Sequence, residues 1–328
     1  MRSRPLFPTD GKKQRISFRH LLAFTCNPSY SRFMHSLRQI FALLFVWGIG
    51  LACAGAADKI RVSSFSTVLT EIAQKIGGDR VEVTGHIKPG IDPHEFEPKA
   101  SDIRTVTNAD LVLLSAKHME GYVAKLKDSI GTKGHVVEVG DQKMQSLKLV
   151  DRSEHEVEDP HWWHSPRNLI IATKVVRDEL TKISPADKAL FAANATAYIN
   201  RLEVLDDWVR AKVSELPRDK RKLVTNHDAF GYFARDYGFT VMPISGVAKN
   251  DQPGSKNVAE LIAKIKASGV KAVFSEDVAN PKVVQEITRE TGAKFGGELL
   301  SDGLGTGEAA TVEGMFKHNV KTIVDALK

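Results

Sequence analysis

From Asp58 onward, short apolar runs alternate with longer stretches in which apolar residues recur every three or four positions. Lys59 to Ser63 predicts a strand, Thr67 to Ile76 a helix stopped by Gly77-Gly78, and Val81 to His86 an alternating strand. A short helix opened by Ser101 and Asp102 follows, then strand Leu111 to Leu114, a helix from near Glu120 to Ser129, and strand Val136 to Val139. Strand runs that are apolar on both faces, separated by amphipathic helices, imply a parallel sheet covered on both sides. Ligands of such sheets collect at the carboxyl ends of the strands.

Ser165-Pro166 opens a helix that runs to about Ile183, with proline tolerated in the first turn. A second helix begins after Ser184-Pro185 and continues to Leu216, with Leu190, Tyr198, Leu202, Leu205, Trp208 and Val209 as its apolar stripe. At about 1.5 Å per residue, roughly thirty helical residues reach about 45 Å, enough for a rigid strut across a domain. Pro217 ends it, and the alternation restarts with strand Lys222 to Thr225, a helix through Phe233 to Tyr237, and strand Thr240 to Ile244. A polar loop from Lys249 to Ser255, helix Val258 to Ala267, strand Ala272 to Ser275, helix Pro281 to Thr291, a strand ending near Leu300 and helix Val312 to Leu327 complete the chain. The expected fold class is α/β, with two (βα)n lobes, each with a central parallel-type sheet, joined by a long rigid linker helix. The expected boundaries are 58–183 for the N-terminal lobe, 184–217 for the linker helix and 218–328 for the C-terminal lobe. A cleft between two such lobes is the expected place for a small ligand.

Residues 1–57 stand apart. They hold eight of the 46 basic residues and one of the 40 acidic ones, so the chain's +6 charge becomes −1 without them. A nucleic-acid partner is not expected, because the basicity belongs to the leader. Within it, Arg38 precedes an apolar run from Ile40 to Ala52 and then Ala54-Gly55-Ala56, the layout of a secretory signal ending near Ala56. The run is too short for a permanent membrane helix. Residues 1–33 read either as an upstream extension from an early start codon or as part of a long leader. Cys53 raises lipid anchoring as the second reading, with Gly50 standing where a lipoprotein signal wants Leu. Cys26 and Cys53 are the only cysteines, so a cleaved chain holds neither disulfide nor thiolate, and a bound metal would need nitrogen and oxygen donors.

Asp92-Pro93-His94 sits in a proline turn that presents His94 from a stiff loop, and the tripeptide returns at Asp159-Pro160-His161. Asn226-His227-Asp228 supplies a third loop histidine and Ser301-Asp302-Gly303 a carboxylate. Three imidazoles and a carboxylate, each in a proline turn or at the end of an apolar run, suit a first-row metal ion. The stretch 151–158 is an acidic loop, read as solvated or, with His155, as an auxiliary metal-capture tract.

In order along the chain, the motifs Asp92-Pro93-His94-Glu95-Phe96-Glu97-Pro98, Asp159-Pro160-His161 with Trp163, Ser165 and Pro166, Asn226-His227-Asp228-Ala229-Phe230-Gly231-Tyr232-Phe233, and Ser301-Asp302-Gly303-Leu304 resemble a known family. It is the cluster A-I metal-binding solute receptors of bacterial zinc and manganese ABC importers. The resemblance covers residues 58–328 and implies His94, His161, His227 and Asp302 as four ligands, two from each lobe. It also implies Zn(II) as the transported substrate, an ABC transporter membrane permease as partner, a periplasmic metallochaperone as a further one, a periplasmic location and a monomer.

His164 departs from the family's usual apolar residue and is read as a hydrogen-bond donor beside the site or a solvent-facing side chain, ahead of a third reading as a spare ligand. The long His-rich loop of many zinc members is reduced to the surroundings of His155. His86 and His118 are read as structural or exposed, Glu276 as a buttress of the cleft, and Trp162 and Trp163 as walls against water. A manganese receptor of the same family is the alternative reading; it ranks second because manganese members are associated with two histidines and two carboxylates, whereas this chain keeps one carboxylate, Asp302, and has His227 where the manganese type carries glutamate. A zinc metallohydrolase is disfavoured, since three histidines and an aspartate close the tetrahedron that a catalytic zinc leaves open, and no His-Glu-x-x-His or Gly-x-Ser-x-Gly motif occurs. An adhesive surface role stands third. The charge step and the small-residue site make export testable: the intact mass of exported protein should begin at Ala57 or Asp58, and a diacylglycerol adduct on Cys53 would contradict this.

Overall fold

The computed structural model describes residues 58–130, 135–150, 155–247, 254–276 and 281–328. Four parallel strands build the first sheet: β1 (Ile60–Ser64), β2 (Val81–Gly85), β3 (Leu111–Leu114) and β4 (His135–Glu138), in the order β2-β1-β3-β4. Helices α1 (Thr67–Gly77), α2 (Ala100–Thr107) and α3 (Val123–Ile130) connect them. All four residues of β3 are buried, which explains its unbroken apolar run. The Ser66 hydroxyl accepts from the Leu69 N–H at the start of α1, satisfying one of the donors that a helix N-terminus leaves over.

A small antiparallel hairpin, β5 (Lys148–Val150) with β6 (Glu156–Glu158), follows. Part of the expected acidic loop is therefore strand, carried by a single apolar cross-strand pair, Leu149 with Val157, too short to show as a periodicity. Residues 151–154 of that loop lie outside the described residues.

Helix α4 (Pro166–Ile183) is capped by Ser165, and α5 (Lys188–Val213) is the expected strut. It starts after a turn at Pro185–Asp187 and stops three residues before Leu216, so its 26 residues reach about 39 Å at about 1.5 Å each. The buried stripe is Phe191, Ala195, Tyr198, Leu202, Leu205, Val209 and Val213, at alternating spacings near four and three. Leu190 is instead exposed, and Trp208 lies only partly within the core.

The second sheet has β7 (Lys222–Thr225), β8 (Thr240–Pro243), β9 (Ala272–Glu276) and β10 (Lys294–Leu299), all parallel, in the order β10-β9-β7-β8. Helices α6 (Gly231–Tyr237), α7 (Ser255–Ser268), α8 (Pro281–Thr291) and α9 (Val312–Leu327) accompany it. The topology repeats that of the first sheet: the first strand lies inside, flanked by the second and third, with the fourth beyond the third. The chain thus departs to both sides of the first strand, the arrangement that opens a crevice at the carboxyl edge. The expected polar loop from Lys249 lies largely outside the described residues, which resume at Gly254.

One hydrophobic core runs through both lobes, joining Ile72 and Leu113 to Leu202, Leu223, Phe274 and Ile323. Helix α5 packs on α1 of the first lobe and α9 of the second. Polar contacts add to this fastening. The Val312 N–H donates to Glu71 Oε2 (2.6 Å) and the Leu304 N–H to Thr67 Oγ1 (2.8 Å).

At the other end of the junction, Trp163 Nε1 (2.9 Å) and His164 Nε2 (2.7 Å) both donate to the Ser301 carbonyl, and the His164 ring stacks on Phe230 at 4.5 Å. Of the expectations for His164, the solvent-facing one fails, because the side chain is buried, and the residue lies outside the group of four donors that could hold an ion. Burial pushes its imidazole down to about 4, more than the Ser301 hydrogen bond raises it. A folded-state value below the ordinary 6.5 means that the unfolded chain takes up this proton first. The contribution is therefore fully present above about pH 6.5 and is lost as pH falls toward 4, about 3 kcal/mol in total. His164→Leu should lose only about 1 kcal/mol at pH 7.5, since Trp163 still serves the Ser301 carbonyl. Urea unfolding of the metal-free protein at pH 7.5 and 5.5 should show a drop in stability smaller by about 1 kcal/mol in the variant; equal drops would contradict a neutral buried His164.

Candidate metal centre

The loops that leave the carboxyl ends of the strands carry the chemistry. His94 lies in the loop after β2, His161 in the turn after β6, His227 two residues beyond β7 and Asp302 three beyond β10. The structure brings these four residues together, with one donor atom of each within 4.8 Å of the others. The Nε2 atom of His161 is 3.2 Å from that of His94 and 3.2 Å from that of His227. Asp302 Oδ1 lies 3.6, 3.5 and 3.4 Å from the Nε2 atoms of His94, His161 and His227. A tetrahedron around an ion with bonds of about 2.0–2.1 Å has edges of about 3.3–3.4 Å, so the spacing suits one small ion at the centre.

The repeated Asp-Pro-His has a structural cause. Asp92 Oδ1 accepts the His94 N–H at 2.8 Å, and Asp159 Oδ1 accepts the His161 N–H at 2.9 Å. Each aspartate closes a turn onto the residue two ahead, and proline stiffens the turn between them. Asp159 does more, because its Oδ1 also accepts from His161 Nδ1 at 2.9 Å. His227 is held likewise: its Nδ1 and its backbone N–H both donate to the Glu276 carboxylate, and the Ser301 hydroxyl donates to Glu276 Oε2 at 2.9 Å. A carboxylate can only accept, so the Nδ1 atoms carry protons and the Nε2 atoms face inward, where their lone pairs are open to a metal once any proton held there is displaced.

Close approach makes this possible. A Cβ on Gly231 would lie 2.5 Å from Asp159 Oδ2, so only glycine lets α6 pass this carboxylate. Trp163 lies edge-on to His161 at 5.4 Å, and Trp162 Nε1 donates to the Ser115 carbonyl at 3.0 Å. Both indoles are buried, as expected of walls against water. His161, His227 and Asp302 are buried too, whereas 10% of the His94 side chain is exposed, which makes it the outermost of the four.

Electrostatics follow from this dryness. Burial lowers the His94 imidazole. It also acts against charge on His227, but Glu276 and Asp302 outweigh it and raise that imidazole to about 10. Burial likewise opposes a charged Asp302, yet the facing imidazoles, His227 foremost, hold its carboxyl well below the usual range. A cation of higher charge entering here must displace a proton, so its affinity rises with pH.

Glu276 behaves as the buttress expected from sequence. The direct role of Asp159 on the His161 ring was missed, although its signal was the first residue of the repeated tripeptide. His86 and His118 lie outside the cluster, as does His155. No described helix is long and apolar enough to cross a membrane.

Comparison with known proteins places these observations. Residues 62–326 match the family described as zinc-uptake complex component A, periplasmic. The manganese-binding lipoprotein MntA of Bacillus subtilis is 33% identical over 298 residues, covering 88% of this chain and 97% of that protein. The iron-binding protein YfeA of Yersinia pestis is 32% identical over 257 residues, covering 78% and 81%. The solved structure of the periplasmic zinc-binding protein TroA of Treponema pallidum superposes with a TM-score of 0.77 at 32% identity, covering 82% of this chain and 99% of that one. The family consists of solute-binding receptors and not enzymes. With a family match over residues 62–326, the same paired parallel lobes and a buried cluster of three histidines and an aspartate, the chain belongs to the zinc-uptake component A family, the metal-binding receptors of ABC importers.

Proposed function

We propose that the chain captures Zn(II) as a transported substrate, using Nε2 of His94, His161 and His227 and the carboxylate of Asp302, and delivers it to an ABC permease. The 58–183 lobe supplies two donors, the 218–328 lobe the other two, and the 184–217 segment holds the lobes in register. After cleavage near Ala56 the receptor is free in the periplasm.

The observation that carries this reading is the donor set and its size. Three imidazoles with a single carboxylate, spaced 3.2–3.6 Å apart in the pairs measured, match a four-coordinate ion bound by nitrogen and oxygen. Zinc accepts a closed tetrahedron without penalty, whereas manganese prefers more oxygen donors and gains less from imidazole. With four protein donors there is no open position for an activated water, which supports capture instead of hydrolysis. The relative named for manganese, MntA of Bacillus subtilis, favours the second reading, a manganese receptor.

Competition titrations decide between them. The wild type should prefer zinc to manganese, and His227→Glu should shift that preference toward manganese by adding an oxygen donor. His94→Ala, His161→Ala and His227→Ala should each weaken zinc binding by orders of magnitude with little change in far-ultraviolet circular dichroism. A wild type that prefers manganese, or a glutamate variant with an unchanged ratio, would contradict the assignment.

A further inference from the structure

His86 stands at the start of the loop that carries His94, and Asp102 stands just beyond its end. Between them, residues 86–99 form neither helix nor strand. The His86 side chain is 2% exposed, its Nδ1 lies 3.1 Å from Asp102 Oδ1, and its Nε2 lies 3.3 Å from Ser63 Oγ on β1. Asp102 is an ionised acceptor: burial opposes its charge, but the Lys99 N–H and His86 together outweigh it and lower its pKa. Nδ1–H of a neutral His86 therefore donates to Asp102, and Nε2 accepts from the Ser63 hydroxyl. Asp102 Oδ2 accepts the Lys99 N–H at 2.8 Å, so one carboxylate ties the last loop residue to the first.

The middle of the loop joins the same cluster. The His86 ring stacks on Phe65 with centroids 4.4 Å apart, and Phe65 meets the ring of Phe96, two residues after His94, at 6.1 Å. None of these side chains belongs to the metal cluster. Their common effect is on the loop, and the loop carries the outermost donor, the one through which a bound ion leaves most directly.

We propose that Ser63, His86 and Asp102 form a latch that positions His94 and sets the rate at which the receptor releases its metal. His86 is a positioning residue in this scheme, acting on the ion only through His94. Loosening the latch lets His94 swing away more often, which raises the dissociation rate and leaves association, governed by access to the cleft, nearly unchanged.

The inference rests on the metal reading above, and its test separates the two. Zinc-loaded full-length protein is mixed with excess chelator and the release rate followed by stopped flow. His86→Leu, which removes both ring nitrogens, should release zinc about tenfold faster, the scale of effects from groups behind a ligand. His86→Asn, which restores a donor toward Asp102, should recover most of the wild-type rate, and Ser63→Ala should give a smaller acceleration if His86→Leu fails to fold. In a His94→Ala background the further change His86→Leu should have no effect. An unchanged rate in folded His86→Leu, or in Ser63→Ala where the leucine variant does not fold, overturns the latch, as does the same acceleration with His94 already removed. A wild type that takes up no zinc overturns the metal reading, and this one with it.

Discussion

Everything in the molecule serves one unfavourable juxtaposition: three imidazole nitrogens and a carboxylate oxygen held within 4.8 Å of one another, almost out of reach of water. Left to themselves these groups would repel, reorient or hydrate. They stay because each is tied from behind: His161 by Asp159, His227 by Glu276, and both His94 and His161 by turns that their preceding aspartates close. The negative charge of those carboxylates also prepares the cluster for a cation, at the cost of a strongly held proton at His227.

The architecture follows from that demand. Two sheets of the same topology present their carboxyl edges, and the donors come from loops at strand ends, where side chains can converge without disturbing the hydrogen-bonded ladders. Helix α5 packs on helices of both lobes, and a single core extends through them. Such a frame resists wide opening, so access to the cluster depends on its loops, of which the His94 loop is the outermost.

Much of this was legible in the sequence, for identifiable reasons. The alternation of apolar runs and amphipathic stretches gave the strands, helices and lobes, most plainly at the inner strand Leu111–Leu114, which is apolar and buried throughout. The strut was visible in length but its face was misjudged: Leu190 is exposed, and the stripe begins at Phe191. The hairpin at Glu156–Glu158 escaped because its residues are charged and its pairing is three residues long. Asp302 and the three histidines stood out by their turns. The partners behind them were harder to see: Glu276 reads as a buttress at a strand end, but no local pattern ties it to His227, 49 positions away, and the hold of Asp159 on the His161 ring went unread. His86, which reads as an ordinary histidine in the chain, acquires meaning only when Asp102 folds back against it.

The central claim is that one ion is bound by three imidazoles and one carboxylate at once. X-ray absorption of the stoichiometric zinc complex measures this most directly. The account predicts four nitrogen or oxygen neighbours at about 2.0–2.1 Å, with outer scattering from three imidazole rings. Two or fewer rings, or five to six neighbours at longer distance, would contradict it.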